Sequence, residues 1–252
     1  MNMFLTILFL FFAGSIIGWC IELVWRRFFS SNNPERKWIN PGFLTGPYLP
    51  LYGFSLIILF LLSFINVSWI ENVIVQKIVL FLLMAASITF FEYIAGLIFI
   101  KGMKIKLWDY SACWGNVQGI ICPLYSVFWY ALSAIYYFLI HPRILNWLFW
   151  FTNHMEFCLV IGFFYGIFSI DVFYSLNVMA KIRKFAASNN IVIRLENLQQ
   201  TIRAKNDENK EKIHFWCSMK SDKLSLNEHL KNFKDLIDKL SENIESKFYK
   251  RK

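Results

Sequence analysis

Five long apolar runs separated by short polar connections dominate the first 180 residues. They fall at about 3–25, 51–69, 78–100, 117–140 and 156–179. Each approaches the roughly 20 residues that a helix needs to cross a hydrocarbon core about 30 Å thick. Lipid leaves no water for unpaired backbone groups, so each run is expected to be helical. None alternates with the period of two that an outer-membrane barrel requires. The first run ends on Glu22, Trp25, Arg26 and Arg27 without a small-x-small cleavage site, which marks a retained helix rather than a leader. The pattern predicts an all-α polytopic membrane protein: about five transmembrane helices over residues 1–180 and a cytoplasmic helical, coiled-coil-like tail over 181–252.

After Met179 the pattern changes. Leu226, Leu230, Phe233, Ile237, Leu240 and Ile244 form a heptad seam, opened by the capping box Ser225-x-x-Glu228. Ile191, Leu195, Leu198 and Ile202 carry a shorter version. Three arrangements suit these repeats: a helical hairpin, a homodimer or other coiled-coil partner joined through 191–248, or basic helices lying on anionic lipid. The interspersed acids weigh against the last.

Composition agrees with the membrane reading. Hydrophobic residues make up 57% and charged residues 17%, against about 45–50% and 25% for soluble domains. The net charge of +9 is unevenly spread: residues 181–252 hold 17 basic and 10 acidic side chains, leaving 9 and 7 in the apolar block. The connections after the first and third runs carry Arg26, Arg27, Arg36, Lys37, Lys101, Lys104 and Lys106, whereas those after the second and fourth carry Lys77 and Arg143. By the positive-inside rule the N-terminus lies outside a plasma membrane and the tail lies in the cytoplasm. No nucleic-acid motif accompanies the basic charge, so membrane lipid is the expected surface partner. The five cysteines include no CxxC pair and the four histidines share no ligand spacing. Unpaired thiols are expected, with no metal site and no cofactor.

The exceptions inside the apolar block carry the candidate chemistry. An acid at a helix centre costs about 2.5–3.5 kcal/mol on insertion scales and so faces protein or water. Glu92 and Asp171 lie deep in the third and fifth runs, and Glu22 lies near the end of the first. Each is either a site carboxylate or a structural one, and Glu22 is also spaced to pair with Arg26. Residues 40–53, NPGFLTGPYLPLYG, hold Gly42, Gly46, Pro47, Pro50, Tyr52 and Gly53 in a stretch too broken for regular helix and too apolar for a solvated loop. A packed re-entrant cap suits it, as does an interfacial turn anchored by tyrosines. Trp108, Asp109, Tyr110, Ser111, Asn116 and Gly119 form a comparable run, in which Asp109 or Ser111 can serve as a site group or cap an interfacial helix. The topology places these features and Glu22 on one side, where they can converge. Gly14-x-x-x-Gly18 and Gly162-x-x-x-Gly166 permit close helix contact.

GSIIGWCIE, NPGFLTGPYLPLYG, FEYIAG and WDYSACWGNVQG occur in this order. Over residues 11–175 the chain resembles bacterial inner-membrane proteins of the putative ABC-transporter type IV family, also described as CmpB-like putative ABC transporter permeases. Tyr130 stands where that family has glycine. The resemblance implies a permease subunit. The 252 residues contain no GxxxxGK[ST] phosphate loop, so an ATPase would be a separate subunit. Three functional classes stay open. One is a transport subunit with a cytoplasm-facing site for a small or amphipathic solute. Another is an intramembrane enzyme acting on lipid-linked substrates, with Glu92 or Asp109 as acid/base; no nucleophile–base pair is evident. The third is a scaffold recruiting a partner through its tail.

Overall fold

The computed structural model describes residues 2–30, 33, 36–189, 191–195 and 197–201. Helix α1 spans Met3–Phe28, started by Asn2, whose side chain accepts from the Phe4 N–H. Arg26 and Arg27 in its last turn complement the negative end of the helix dipole. Helix α2 spans Pro50–Leu62 with proline at its start, where the missing N–H costs nothing. Helix α3 spans Val73–Leu97, continues through a π-helical turn Ile98–Met103, and stops at Lys104, whose φ of 58° is left-handed. Helix α4 (Pro123–Ile135), a π turn (Tyr136–Ile140) and helix α5 (His141–Asn153) form one continuous run. A 3₁₀ turn, Met155–Phe157, leads into helix α6, Cys158–Ser188.

Among the described residues four helical runs are long and apolar enough to cross a membrane: Met3–Phe28, Val73–Met103, Pro123–Asn153 and Met155–Ser188. Phe90, Leu159, Phe163, Ile170 and Phe173 point outward and are exposed, as side chains facing hydrocarbon would be. Helix α2 has 13 residues, a rise of roughly 20 Å against a core of about 30 Å. The run expected over 51–69 thus ends as helix at Leu62 with Ser63 as its C-cap, and Asn66 accepts from the Ser68 N–H in the turn that follows. Asn72 then accepts from the Ile74 and Val75 N–H groups and starts α3 five residues before the expected position 78. Residues 117–122 make a turn rather than helix, so the fourth run begins at Pro123. It does not stop at His141-Pro142-Arg143, where the π turn precedes a proline at a helix-start position.

Helices α1 and α2 are antiparallel and very close. A Cβ at Gly18 would lie 2.2 Å from the Tyr52 Cβ, and one at Gly14 would lie 3.1 Å from the Gly53 Cα. The first small-residue motif is therefore a contact surface, whereas Gly162 and Gly166 face open space. Helix α6 runs parallel to α1: Tyr165 donates to the Leu8 carbonyl at 3.0 Å, and Phe12 meets Phe164 edge-on at 4.8 Å. Leu10, Leu59, Met84, Ile88, Tyr136 and Ile144 fill the core among α1–α5. Tyr130, where glycine was expected, rests edge-on against Phe81.

The start of the tail folds back on the bundle. Strand β1, Ile105–Lys106, pairs in parallel with strand β2, Ile193–Arg194, in the register Ile105–Ile193. Ile193, Leu195 and Leu198 are buried with Ile105, Val178, Met179, Ile182 and Ala186. The proposed division at residue 180/181 falls inside α6. Ile202 and the heptad seam over 226–244 lie outside the described residues.

Candidate functional site

The apolar Pro/Gly segment is held by two polar fasteners. Trp19 donates to the Asn40 carbonyl oxygen at 2.9 Å, and the Asn40 amide donates to the Leu44 and Thr45 carbonyls at 3.0 and 3.1 Å. Asp171 of α6 is the second fastener. Its Oδ1 accepts from the Thr45 N–H (3.1 Å), the Thr45 hydroxyl (2.7 Å) and Ser175 (3.0 Å). Its Oδ2 accepts from the Gly46 N–H at 2.8 Å and Tyr48 at 2.6 Å. Burial, reinforced by the bond to Asp171, pushes the Tyr48 hydroxyl far above its ordinary pKa, so it stays a donor. Gly46 is required because a Cβ there would lie 2.3 Å from the Tyr48 ring. The Leu49 N–H then bonds the Ser15 carbonyl of α1 at 2.9 Å and delivers the chain into α2. Irregular backbone survives among apolar helices because protein groups satisfy it. The segment is a packed cap, and Asp171 is a structural anchor of it.

Glu22 and Glu92 occupy a different setting. Glu22 Oε1 accepts from Arg26 Nε at 3.1 Å, and Oε2 from the Tyr52 hydroxyl at 3.0 Å. Glu92, only 3% exposed, accepts from Tyr110 on Oε1 (3.1 Å) and from Trp129 Nε1 on Oε2 (3.0 Å). Tyr52 stands edge-on to Trp129, with ring centres 6.4 Å apart, and so links the two groups. Burial, then the Glu92 charge and hydrogen bond, raise the Tyr110 pKa well above its ordinary value. Between these carboxylates lies a cavity of about 270 Å³. Pro41, Gly42, Phe43 and Leu49 wall it on the cap side, Phe54 and Tyr52 on α2, Phe91 and Ala95 on α3, Phe99 on the π turn after it, and Trp108 and Tyr110 on the following loop.

That loop is built to place Trp108 and Tyr110. Trp108 Nε1 donates to the Ile120 carbonyl at 2.9 Å, and the Tyr110 N–H to the Gly119 carbonyl at 2.8 Å. Asn116 ties the loop, donating to the Ser111 and Cys113 carbonyls and accepting from the Gly119 N–H. Gly119 has φ of +70°, and a Cβ there would lie 2.8 Å from Asp109 Oδ1. Ile120 fits only because Gly96 of α3 lacks a Cβ. Asp109 turns away from the cavity, accepting from Ser111 and pairing with Lys106 (3.2 Å) and Arg194 (2.5 Å). Burial opposes its ionisation, but the bonds from Ser111 and Lys106 outweigh this and hold its pKa below the ordinary value. It clamps β1 to β2, while Gln199 donates to the Gly42 carbonyl at 3.3 Å and ties the tail to the cap.

The candidate residues therefore fall into groups. Glu22, Glu92, Tyr110, Trp108, Tyr52, Gly42 and Pro50 line the cavity. Asp109, Ser111, Asn116 and Gly119 shape the loop beneath it, while Asp171, Gly46 and Gly53 hold the cap and α2 in place. Trp129 was not singled out from the sequence, whereas Arg26 was expected as a partner of Glu22 and pairs with it. The signal for Trp129 was available: a tryptophan deep in an apolar run needs an acceptor for its N–H, and Glu92 is an acid needing donors.

A family model described as putative ABC-transporter type IV matches residues 9–176. No curated protein and no solved structure matches the chain. The match runs from α1 through most of α6 and includes every cavity residue, so the chain belongs to that family.

Proposed function

We propose that this member of the putative ABC-transporter type IV family is the membrane subunit of a transport system, and that the cavity between α1, α2, α3 and the Trp108–Tyr110 loop is its solute site. The observation carrying this reading is the placement of Glu22 and Glu92, two carboxylates held by aromatic donors around an apolar space of about 270 Å³. A pocket that is mostly apolar with a few convergent polar groups suits a small or amphipathic solute. Among the described lining residues there is no Ser, Cys, His or Lys, which favours binding over nucleophilic catalysis on a lipid-linked substrate.

Arg26, Phe99 and Leu107 of the lining lie toward the bundle end that carries Lys101, Lys104 and Lys106, and by the positive-inside rule this end would face the cytoplasm, with the N-terminus outside. Energy would come from a separate ATPase subunit bound on that face. A second copy of the chain, joined through the tail heptads, would complete a pathway that one copy is too small to enclose. The test is affinity purification of the full chain from its native membrane, followed by solute flux in vesicles. Co-purification of an ATPase and loss of flux in Glu22→Gln and Glu92→Gln support the reading. Recovery without an ATPase, or unchanged flux in both variants, overturns it.

A further inference from the structure

The charges lining the cavity do not balance. They comprise two carboxylates and one guanidinium, and Arg26 is committed to Glu22 at 3.1 Å. Among the described residues, Glu92, though almost fully buried, is met only by the neutral donors Tyr110 and Trp129. Each of its oxygens takes one hydrogen bond, so about half of the carboxylate's accepting capacity is unused. The other acids of the site region differ. Asp109 pairs with Lys106 and Arg194, and Asp171 fills its capacity with five protein donors. A buried carboxylate without a countercharge is costly, and a cationic ligand would supply one.

The rest of the lining points the same way. Phe91, Phe99, Trp108 and Trp129 line the same cavity as Glu92. Aromatic faces carry negative electrostatic potential and attract ammonium and guanidinium groups, most strongly where water is excluded. The same walls receive an apolar body. We propose that the cavity binds an amphipathic organic monocation, its charged head against Glu92 and its apolar part against Phe91, Phe99 and Trp108. This assignment rests on the reading of the cavity as a solute site and names the class of solute.

The experiment is calorimetric titration of the purified full chain in an uncharged maltoside detergent. Three probes of similar shape are used: benzyltrimethylammonium, its neutral isostere neopentylbenzene, and the anion phenylmethanesulfonate. The cation should bind saturably and about tenfold or more tighter than the isostere. Glu92→Gln should remove that preference and leave isostere binding unchanged. Phe91→Leu, which keeps the wall apolar without its π face, should weaken the cation several-fold and serves if the Glu92 variant does not fold. Adding phosphatidylethanolamine separates two sources of the same chemistry: competition identifies a lipid head group, and its absence a free solute. Equal binding of all three probes, tighter binding of the sulfonate, or a cation affinity unmoved by Glu92→Gln overturns the cation assignment and leaves a solute site standing. Absence of saturable binding by all three overturns it too, while the ATPase purification judges the transport reading separately.

Discussion

Asp171 and Glu92 are both buried carboxylates in long apolar helices, and the fold uses them in opposite ways. Asp171 is surrounded by donors from the cap and its own helix, two of them backbone N–H groups. Among the described residues Glu92 has only a phenol and an indole, and one side of it lines the cavity. The difference lies in how many donors each carboxylate meets. Asp171 takes five hydrogen bonds, two of them from backbone N–H groups that can only donate. Among the described residues Glu92 takes two, one from the Tyr110 hydroxyl, which can donate or accept, and one from the Trp129 indole, which can only donate. Saturation makes a fastener. Partial saturation beside a space leaves a carboxylate free to meet a ligand.

The largest expected effect breaks the fastener. Asp171→Leu strands the Thr45 and Gly46 N–H groups, at about 1–3 kcal/mol for each orphaned donor, and should cost about 3–5 kcal/mol in reversible detergent unfolding. Asp171→Asn should be nearly as harmful, because either orientation of the amide sets an NH₂ against one of those N–H groups. Unchanged stability in the Asn variant would remove the distinction drawn here. Next in size is Gly18→Val, whose branched Cβ enters the Tyr52 ring. About 1–3 kcal/mol of overpacking is expected, together with displacement of Tyr52 and loss of solute binding.

Glu92→Gln sharpens the comparison from the other side. The amide can accept from Trp129 and donate to the Tyr110 oxygen, so stability should change by less than about 1 kcal/mol while flux falls. A stability loss as large as that of Asp171→Asn would make Glu92 a second fastener. The smallest effect concerns Asp109. Its folded pKa is depressed, so its contribution is present above the ordinary value of 3.8 and lost as pH falls below that through the lowered folded value. Acidification through this window should loosen β2 from β1 and speed proteolysis at residues 191–195. Asp109→Asn should show that faster cleavage already at neutral pH, and an unaltered cleavage rate there would deny the clamp.

Much of the fold was legible because lipid imposes simple demands. Apolar length predicted the helices, and α2 starts at Pro50 within one residue of expectation, while α3 starts at Val73 rather than 78 and α4 at Pro123 rather than 117. The boundaries that differed share a cause: side-chain capping and π turns act over single residues, below the resolution of a hydropathy run. The second run ends as helix at Leu62, capped by Ser63, and the π turn at Tyr136–Ile140 carries helix through a proline that reads as a break. The site was legible as a set of unusual residues, not as an arrangement. Asp109 had the look of site chemistry beside Trp108, but Arg194, 85 positions later in the chain, claims its Oδ2. Trp129 sat unnoticed in a run of aromatics until its N–H found Glu92.

The sequence by itself determined the apolar helices, the basic tail and the short set of acids and broken segments in which chemistry must reside. Those follow from transfer costs paid residue by residue, independent of neighbours. Only the tertiary structure decided which acid fastens and which is left beside a cavity, and that the tail's first leucines pack inward on α6. These outcomes depend on helix rotation and on donors more than a hundred residues away in sequence, such as Thr45 for Asp171. Hydrogen-bond saturation is a property of that assembled neighbourhood.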